Sequence, residues 1–336
     1  MIVAAAESWH KTHQREILGM PVEQRNAWLG SSPQLVMRVG IPHRGGRLAF
    51  HAFSEGYAAM VSANAFWDRK AERFCFPSAT DLSEIDFALD SAGYVSMKLW
   101  KDKGRQRGMA GIFPWTYAQY IEFATQTGAS WWSQPDLCVE PDVAESREEV
   151  DFRIRATATL LEGVLRILYE WQNELAKTCN ARTVANMLPP PVPVLQGWTV
   201  SDYQRSAELL QQVWERWQPW LAAPALIGVG SVCRRTVRHP KHGLLNVLAG
   251  LEGHIPFGSR AHLFGVKGAC LSHLRGQDWI ASADSMAYDV AARRKAWQAQ
   301  VPNRVEHRAA EMSSWMGKAT DRVRPAVGDQ GRLDFY

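Results

Sequence analysis

Cysteine is scarce in this sequence, and its spacing excludes the common cysteine-based sites. The five cysteines are scattered over 336 residues, and no two of them stand in a CxxC pair. Because the number is odd and the spacing irregular, we predict neither a disulfide framework nor a zinc knuckle, and no metal or other cofactor. A reduced, cytoplasmic setting is the simplest interpretation.

Long apolar runs are also missing. No stretch is long enough to span a bilayer, so we predict no membrane association. The short apolar stretch at the N-terminus has no basic segment before it and does not resemble a signal peptide. The chain also contains no low-complexity segment, no short internal repeat and no glycine-rich turn of the dinucleotide-binding type.

Positive charge is unevenly distributed along a chain whose net charge is only +4. The segment from Arg293 to the C-terminus holds nine Lys/Arg and five Asp/Glu, so the remainder is about neutral. Two further basic clusters occupy residues 98–107 and 234–242. Such clusters suit a polyanionic partner, although a solvated surface is the other interpretation.

Strand-like and helix-like segments alternate through most of the chain. Several apolar runs end on a residue that can do chemistry or approach a ligand closely: Asp90, Asp136, Gln196, Gly230, Lys267 and Asp284. Polar groups at the carboxyl ends of apolar strands are typical of enzymes built on a (β/α)8 barrel. We therefore predict an α/β fold of the (β/α)8 TIM-barrel type, with a doubly wound open sheet as the alternative.

The predicted boundaries divide the chain into three parts. Residues 1–46 form an N-terminal helical extension, residues 47–300 the catalytic barrel, and residues 301–336 a helical, basic C-terminal segment. Within the barrel, residues 47–53 are predicted as the first strand, residues 54–64 as a helix and residues 73–77 as the second strand. The remaining strands end at or near the polar residues named above.

Asp90 and Asp284 are the candidate catalytic residues, at the ends of the predicted third and eighth strands. In a barrel both would face the same mouth, where one carboxylate can attack as a nucleophile while the other transfers a proton. Glycoside cleavage uses the same division of labour. The alternative is that each aspartate caps the helix that follows its strand.

Six sequence segments, in order, resemble the motifs of the tRNA-guanine transglycosylase family. These are DSAGYVSM, DLCVEP, VLQG, GVGSV, HLFGV and DSMAY, beginning at Asp90, Asp136, Val194, Gly228, His262 and Asp284. Each segment alone is a weak signal, but their shared order is fairly specific. The resemblance implies exchange of guanine in a nucleic acid for a 7-deazaguanine base.

The resemblance also implies roles for individual residues. Asp284 would attack the anomeric carbon and form a covalent glycosyl-enzyme, and Asp90 would protonate the departing guanine and later deprotonate the incoming base. Asp136 would accept hydrogen bonds from the donor edge of guanine. The remaining predicted substrate-binding residues are Gln196 and the Gly230 N–H at the carbonyl oxygen, Gly197 beside them, Ser91 as a polar contact and Tyr94 as a stacking platform.

The chain departs from the tRNA enzymes in the spacing between the predicted fourth and fifth strands and in the region after the nucleophile. Those enzymes carry a cysteine-rich zinc site after the nucleophile, whereas no cysteine follows Cys270 here. The resemblance is therefore closer to the zinc-less relatives that place 7-deazaguanines in phage or bacterial DNA. The predicted function is a DNA-guanine transglycosylase, which would require a flipped or single-stranded target base.

Several alternatives stay open from the sequence. The same chemistry could act on tRNA, and the chain could be an inactive nucleic-acid-binding barrel or a small-molecule hydrolase. The predicted partners are DNA or tRNA and the free 7-deazaguanine base, with a homodimer as one assembly to test. The predicted nucleic-acid contacts are Arg234, Arg235, Arg238, Lys241 and Lys267.

Overall fold

The computed structural model describes residues 35–42, 47–78, 80–256 and 258–324. Most of the predicted N-terminal extension, and the end of the predicted C-terminal segment, lie outside these ranges. In the described part, no helix is both long and apolar enough to cross a membrane.

The strands are β1 Val36–Ile41, β2 Ala59–Ser62, β3 Trp67–Asp68, β4 Arg73–Phe74, β5 Phe87–Asp90, β6 Trp131–Trp132, β7 Val194–Leu195, β8 Leu226–Val229, β9 Arg260–Leu263 and β10 Ile280–Ser285. Eight of them form a curled parallel sheet at the centre of the molecule, in the order β6-β5-β2-β1-β10-β9-β8-β7. The short strands β3 and β4 form a separate antiparallel pair.

The two edges of the curled sheet meet between β6 and β7. Ser133 and Val192 form one isolated parallel bridge. Two backbone hydrogen bonds support it, from Gln134 N to Val192 O at 2.9 Å and from Val192 N to Trp132 O at 2.8 Å. Because pairing at this seam is limited to one bridge, the fold is a TIM-like curled sheet rather than a continuous closed barrel.

Helices connect the strands and cover the outside of the sheet. They are α1 Arg47–Ser54, α2 Gly93–Lys103, α3 Tyr117–Gln126, α4 Arg147–Leu175, α5 Ala181–Met187, α6 Val200–Trp217, α7 Leu244–Leu251, α8 Leu271–Leu274, α9 Ala287–Gln298 and α10 Val305–Val323. Several begin at side-chain caps: Thr116 and Thr199 complete capping boxes at α3 and α6, and Ser146 caps α4. These caps fix the residue at which each helix begins.

The first strand of the sheet is not where the sequence placed it. Residues 47–53, predicted as a strand, form α1, because Leu48, Ala49 and Ala52 fall on one helical face and are buried. The sheet instead begins with β1, which precedes residue 47, the predicted start of the barrel.

The predictions for residues 54–64 and 73–77 were also wrong. Residues 54–64, predicted as a helix, contain β2, which pairs with β1 and β5. Residues 73–77 contribute only the two residues of β4, outside the main sheet. The burial of Ala59, Met60 and Val61 in succession reflects a strand covered on both faces, which leaves no alternating pattern in the sequence.

Two apolar layers hold this architecture together. The larger one packs the helices on the outside of the sheet, and a smaller one fills its interior, with Met60, Ala88, Trp131, Leu226 and Ala281. Above this interior layer, at the carboxyl ends of the strands, the sheet opens into a cavity that both polar and apolar side chains line. The fold therefore places the strand-end residues around one mouth.

Candidate active site

The cavity at the carboxyl ends of the strands has a volume of about 390 Å³. Six of the residues proposed from the sequence as catalytic or base-binding line its wall, together with Arg234: Asp90, Tyr94, Asp136, Gln196, Gly230 and Asp284. A cavity of this size suits a purine-sized ligand. The two candidate catalytic carboxylates therefore share one pocket.

A tight turn after β5 builds one side of the cavity. The Asp90 carboxylate accepts a hydrogen bond from the N–H of Ala92 at 3.0 Å, and Ala92 has a left-handed backbone with φ of 67°. α2 begins directly afterwards at Gly93, where an added Cβ would lie 2.5 Å from the Asp136 carbonyl oxygen. Glycine is needed there because the turn and the Asp136 segment approach so closely.

The environment of Asp90 favours its protonated form. Burial, followed by the negative charges of Asp136 and Asp284, raises the pKa of Asp90 to about 7. The hydrogen bond from Ala92 opposes this shift but does not cancel it. A carboxylic acid that titrates near neutral pH can both donate and accept a proton during turnover.

Asp136 is held by hydrogen bonds on both of its carboxylate oxygens. Ser91 Oγ donates to Oδ1 at 2.7 Å, and Gln196 Nε2 donates to Oδ2. Ser231 Oγ in turn donates to Gln196 Oε1 at 2.6 Å. Burial raises the pKa of Asp136, although the bonds from Ser91 and Gln196 oppose the shift. The side chain is therefore fixed in orientation, with lone pairs left for a ligand.

Two of the predicted substrate contacts, Ser91 and Gly197, lie behind the cavity wall, and a third, Gly230, lines the wall without offering its N–H to a ligand. Ser91 is fully buried and orients Asp136, and Gly197 packs against Asp202 and Tyr203. The predicted use of the Gly230 N–H was wrong, because this group donates to Leu195 O at 2.9 Å within the sheet. An added Cβ at Gly230 would lie 2.1 Å from Gln196 Nε2, so this glycine makes room for the glutamine side chain.

Asp284 is nearly buried and is oriented through one of its two oxygens. Oδ1 accepts a hydrogen bond from the N–H of Gly265 at 2.8 Å and lies 3.3 Å from His262 Nε2. The other ring nitrogen of His262 lies 2.7 Å from Ser282 Oγ. Among the described residues, none donates a hydrogen bond to Oδ2 of Asp284. That oxygen is free to attack a carbon atom.

Tyr94 lies at the rim of the cavity in a charged cluster. Its hydroxyl donates to Asp142 Oδ2 at 2.7 Å and accepts from Arg234 Nη2 at 2.5 Å. The guanidinium carbon of Arg234 lies 5.0 Å from the centre of the Tyr94 ring. Burial, followed by the bond to Asp142, raises the pKa of Tyr94 to about 12. The ring is therefore held in place at the mouth as a neutral phenol.

Arg235 does not have the exposed position that nucleic-acid contact requires. Its side chain is 1% exposed, and it donates to four backbone carbonyls, those of Ser231, Gly197, Trp198 and His242. The prediction for Arg235 was therefore wrong, because the guanidinium ties together the loops after β7 and β8 from inside. Arg234 is exposed, but it forms ion pairs with Asp142 and Glu140.

The other predicted nucleic-acid contacts are on the surface. Arg238 and Lys241 are exposed in the loop that follows β8. Lys267 is exposed as well and donates to Arg234 O at 3.0 Å. These three side chains lie in segments that follow the carboxyl ends of β8 and β9, which is the side of the sheet that carries the cavity.

Sequence reasoning assigned no role to His262, Gly265 or Ser231, which orient Asp284 and Gln196. The sequence offered one signal for His262. Side chains alternate along a strand, so His262 is expected on the same face as Phe264, at the end of the strand. Burial lowers the pKa of His262 despite the nearby Asp284 carboxylate, so the ring is held neutral. In the described part of the chain, no group of three or more His, Cys, Asp or Glu side chains could hold a metal ion.

Comparison with known proteins assigns the chain to a family. A scan against protein-family models matches residues 69–326, more than three quarters of the chain, to the family described as DpdA, DeoxyPurine in DNA protein A. A search of curated proteins finds no significant match. The family match confirms the resemblance found in six sequence segments. The chain therefore belongs to the DpdA family of DNA-guanine transglycosylases, pentosyltransferases that are related to the tRNA-guanine transglycosylases.

Proposed function

We propose that the chain exchanges guanine in DNA for a 7-deazaguanine through a covalent intermediate on Asp284. Oδ2 of Asp284 attacks C1′ of the target nucleotide as the bond from C1′ to N9 breaks, and Asp90 gives its proton to the departing guanine. The incoming base then loses a proton to Asp90 and attacks C1′, which releases Asp284. The observation that carries the proposal is that one cavity holds both an Asp284 oxygen free of hydrogen bonds from described residues and Asp90, whose pKa burial raises to about 7.

The rest of the cavity supports recognition of the base. The fixed Asp136 carboxylate would accept hydrogen bonds from N1–H and the exocyclic amine of guanine. The second N–H of the Gln196 amide, which is not used in the bond to Asp136, would donate to the carbonyl oxygen. Tyr94 would stack on the base at the mouth, which typically contributes ~1–3 kcal/mol.

The depth of the cavity implies that the target base leaves the duplex. Asp136 is 8% exposed and Asp284 is 9% exposed, so a base paired inside a helix could not reach both. Flipping or a single-stranded target would bring the sugar to Asp284. We also propose that residues 47–300 together with β1 form one catalytic unit.

Base exchange tests this function directly. Purified protein with labelled guanine should incorporate the label into DNA, more readily into single-stranded than duplex DNA because no base pair has to open. The same reaction is run separately with tRNA as the alternative substrate. Incorporation into tRNA alone would reassign the substrate, and no incorporation into any of the three polymers would refute the transglycosylase mechanism.

The exposed basic loop is expected to bind the DNA backbone. The double charge reversal Arg238→Glu with Lys241→Glu should weaken DNA binding roughly tenfold or more. The dependence of log K on log salt concentration should become shallower by about two, because two phosphate contacts are lost. Fluorescence anisotropy with a labelled oligonucleotide at several salt concentrations measures both quantities.

A matched control reverses two charges near the amino ends of the strands, on the side of the sheet opposite the cavity. Lys177 and Arg182 are exposed and precede β7, so Lys177→Glu with Arg182→Glu makes the same change in net charge on the opposite side. That variant should keep most of its affinity and its salt dependence. Equal losses in both double variants would show that net charge, and not the loop after β8, governs binding.

A further inference from the structure

Three aromatic rings form a stack on the side of the sheet that carries the cavity, and none of them lines the cavity. Trp198 follows β7, and His239 and His242 lie in the loop that follows β8. The rings of the two histidines are nearly parallel, with 3.5 Å between their centres and 6° between their planes. The centre of the Trp198 ring lies 5.5 Å from that of His242, so His242 is the middle ring. The proposed base exchange uses none of the three.

The stack begins against the protein interior and ends at the surface. Trp198 packs against a small cluster of buried apolar side chains, those of Val139, Ala144, Val150 and Ile154. The guanidinium carbon of Arg235 lies 4.3 Å from the centre of the Trp198 ring. Among the residues that the structure describes, no ring other than that of His242 lies against His239, which is only partly buried. His239 is therefore the outermost ring, with part of its surface open to solvent.

Hydrogen bonds within the loop hold the two histidines in this arrangement. Nδ1 of His239 accepts from the N–H of Lys241 at 3.2 Å and from the N–H of His242 at 3.4 Å. Asn246 Nδ2 donates to His239 O at 3.0 Å, and Arg235 Nη1 donates to His242 O at 2.8 Å. A ligand that binds to the stack therefore does not have to order the loop first, which lowers the entropic cost of binding.

Two exposed cations accompany the rings in the sequence. Arg238 directly precedes His239, and Lys241 directly precedes His242. Aromatic rings interleaved with basic side chains are the combination that binds single-stranded nucleic acid, because the rings stack on bases while the cations contact phosphates. A base inside a duplex is already paired and stacked on both faces, so only an unpaired base can stack on His239.

We propose that His239 and His242 form a stacking platform for an unpaired nucleobase that flanks the target guanine in single-stranded or locally opened DNA. The platform binds the flat face that every nucleobase has, and so it selects no particular sequence. The opened region of the DNA then extends beyond the target nucleotide. This inference rests on DNA being the substrate of the proposed base exchange, and it adds a second DNA site outside the cavity.

Binding of single-stranded DNA that carries one abasic residue tests the platform. A set of oligonucleotides places the abasic residue at successive positions on either side of the target guanine, and fluorescence anisotropy at pH 8 measures each affinity. At the position of the stacked base, loss of the base should weaken binding to the unaltered protein roughly fivefold or more, the lower end of what stacking on an aromatic side chain contributes.

The variant His239→Asn removes the ring but keeps a hydrogen-bond acceptor for the Lys241 N–H, because an asparagine side chain can accept from the N–H two residues on. In this variant the abasic penalty at that position should fall to less than about twofold, which shows that the base and the ring are coupled. The dependence of log K on log salt concentration should not change, because an imidazole is ordinarily uncharged at pH 8. His254→Asn makes the same replacement at an exposed histidine before β9 and should behave as the unaltered protein does.

Two results would overturn the inference. One is a scan in which no abasic residue outside the target position weakens binding to the unaltered protein, which needs no variant to interpret. The other is an equal penalty at every position in His239→Asn and the unaltered protein. Exchange of labelled guanine into DNA by the unaltered protein, run in parallel, separates the two proposals: if it is absent, the proposed function fails and this inference with it, and if it is present, either result above overturns the inference alone.

Discussion

Replacement of Asp284 by alanine is expected to abolish base exchange and the covalent adduct with DNA. The residue supplies the only bond that the enzyme itself would make to the sugar, so no partial mechanism survives its loss. The exchange rate should fall by roughly 10³-fold or more, as is usual when a nucleophile is removed. Denaturing electrophoresis of protein incubated with labelled DNA should show a slow-migrating adduct for the unaltered protein and none for Asp284→Ala.

A neighbouring aspartate provides the control for this prediction. Asp278 is exposed just before β10, at the opposite end of the strand that carries Asp284. Asp278→Ala should retain both the adduct and the exchange activity. Turnover by Asp284→Ala at a rate close to that of Asp278→Ala would exclude Asp284 as the nucleophile.

Replacement of Asp90 by asparagine is expected to slow guanine release and to remove its pH dependence. The raised pKa of about 7 keeps the acid protonated below neutral pH, so the first step should slow as pH rises through 7. Asparagine cannot donate that proton, and general acid catalysis typically contributes ~10²–10⁴-fold. Single-turnover release of labelled guanine from DNA between pH 5.5 and 9 measures both effects.

The same substitution should raise the free energy of unfolding at pH 8, although it slows the reaction. As pH rises from about 4 to about 7, the unfolded chain releases the Asp90 proton while the folded protein retains it, so the folded state loses stability. Asp90→Asn carries no titrating group at this position, so it does not lose this stability. The variant should be more stable than the unaltered protein at pH 8. The gain should be on the order of 1–3 kcal/mol, below the full linkage value because Asp90 is partly exposed.

Denaturant unfolding at pH 8 and pH 4.5 measures this change and also serves as the folding control for the kinetic experiment. A variant that is slow but more stable at pH 8 has lost a proton donor and kept its fold. A variant that is less stable than the unaltered protein at both pH values would show that Asp90 has a structural role. In that case the rate loss could not be assigned to proton transfer.

The strand ends were predictable, whereas the beginning of the sheet was not. Asp90, Asp136, Gln196 and Asp284 each follow a short apolar run, and parallel strands bring such positions to one edge. The segment of β1 offered no comparable signal, because the strand carries Arg38 inside the sheet, where it pairs with Asp86 at 3.0 Å. In the sequence alone, a buried arginine with a carboxylate partner cannot be distinguished from a surface charge.

By itself, the sequence determined the α/β class, the order of the strand-end residues and the family, because these depend on local runs and on motifs. Only the tertiary structure decided what each side chain does. Arg235 and Arg238 are the same residue type three positions apart, yet the first bonds to backbone carbonyls inside the protein and the second faces solvent. Burial and hydrogen bonding depend on segments distant in sequence, such as the Gly197 carbonyl that receives Arg235, and no local pattern encodes them.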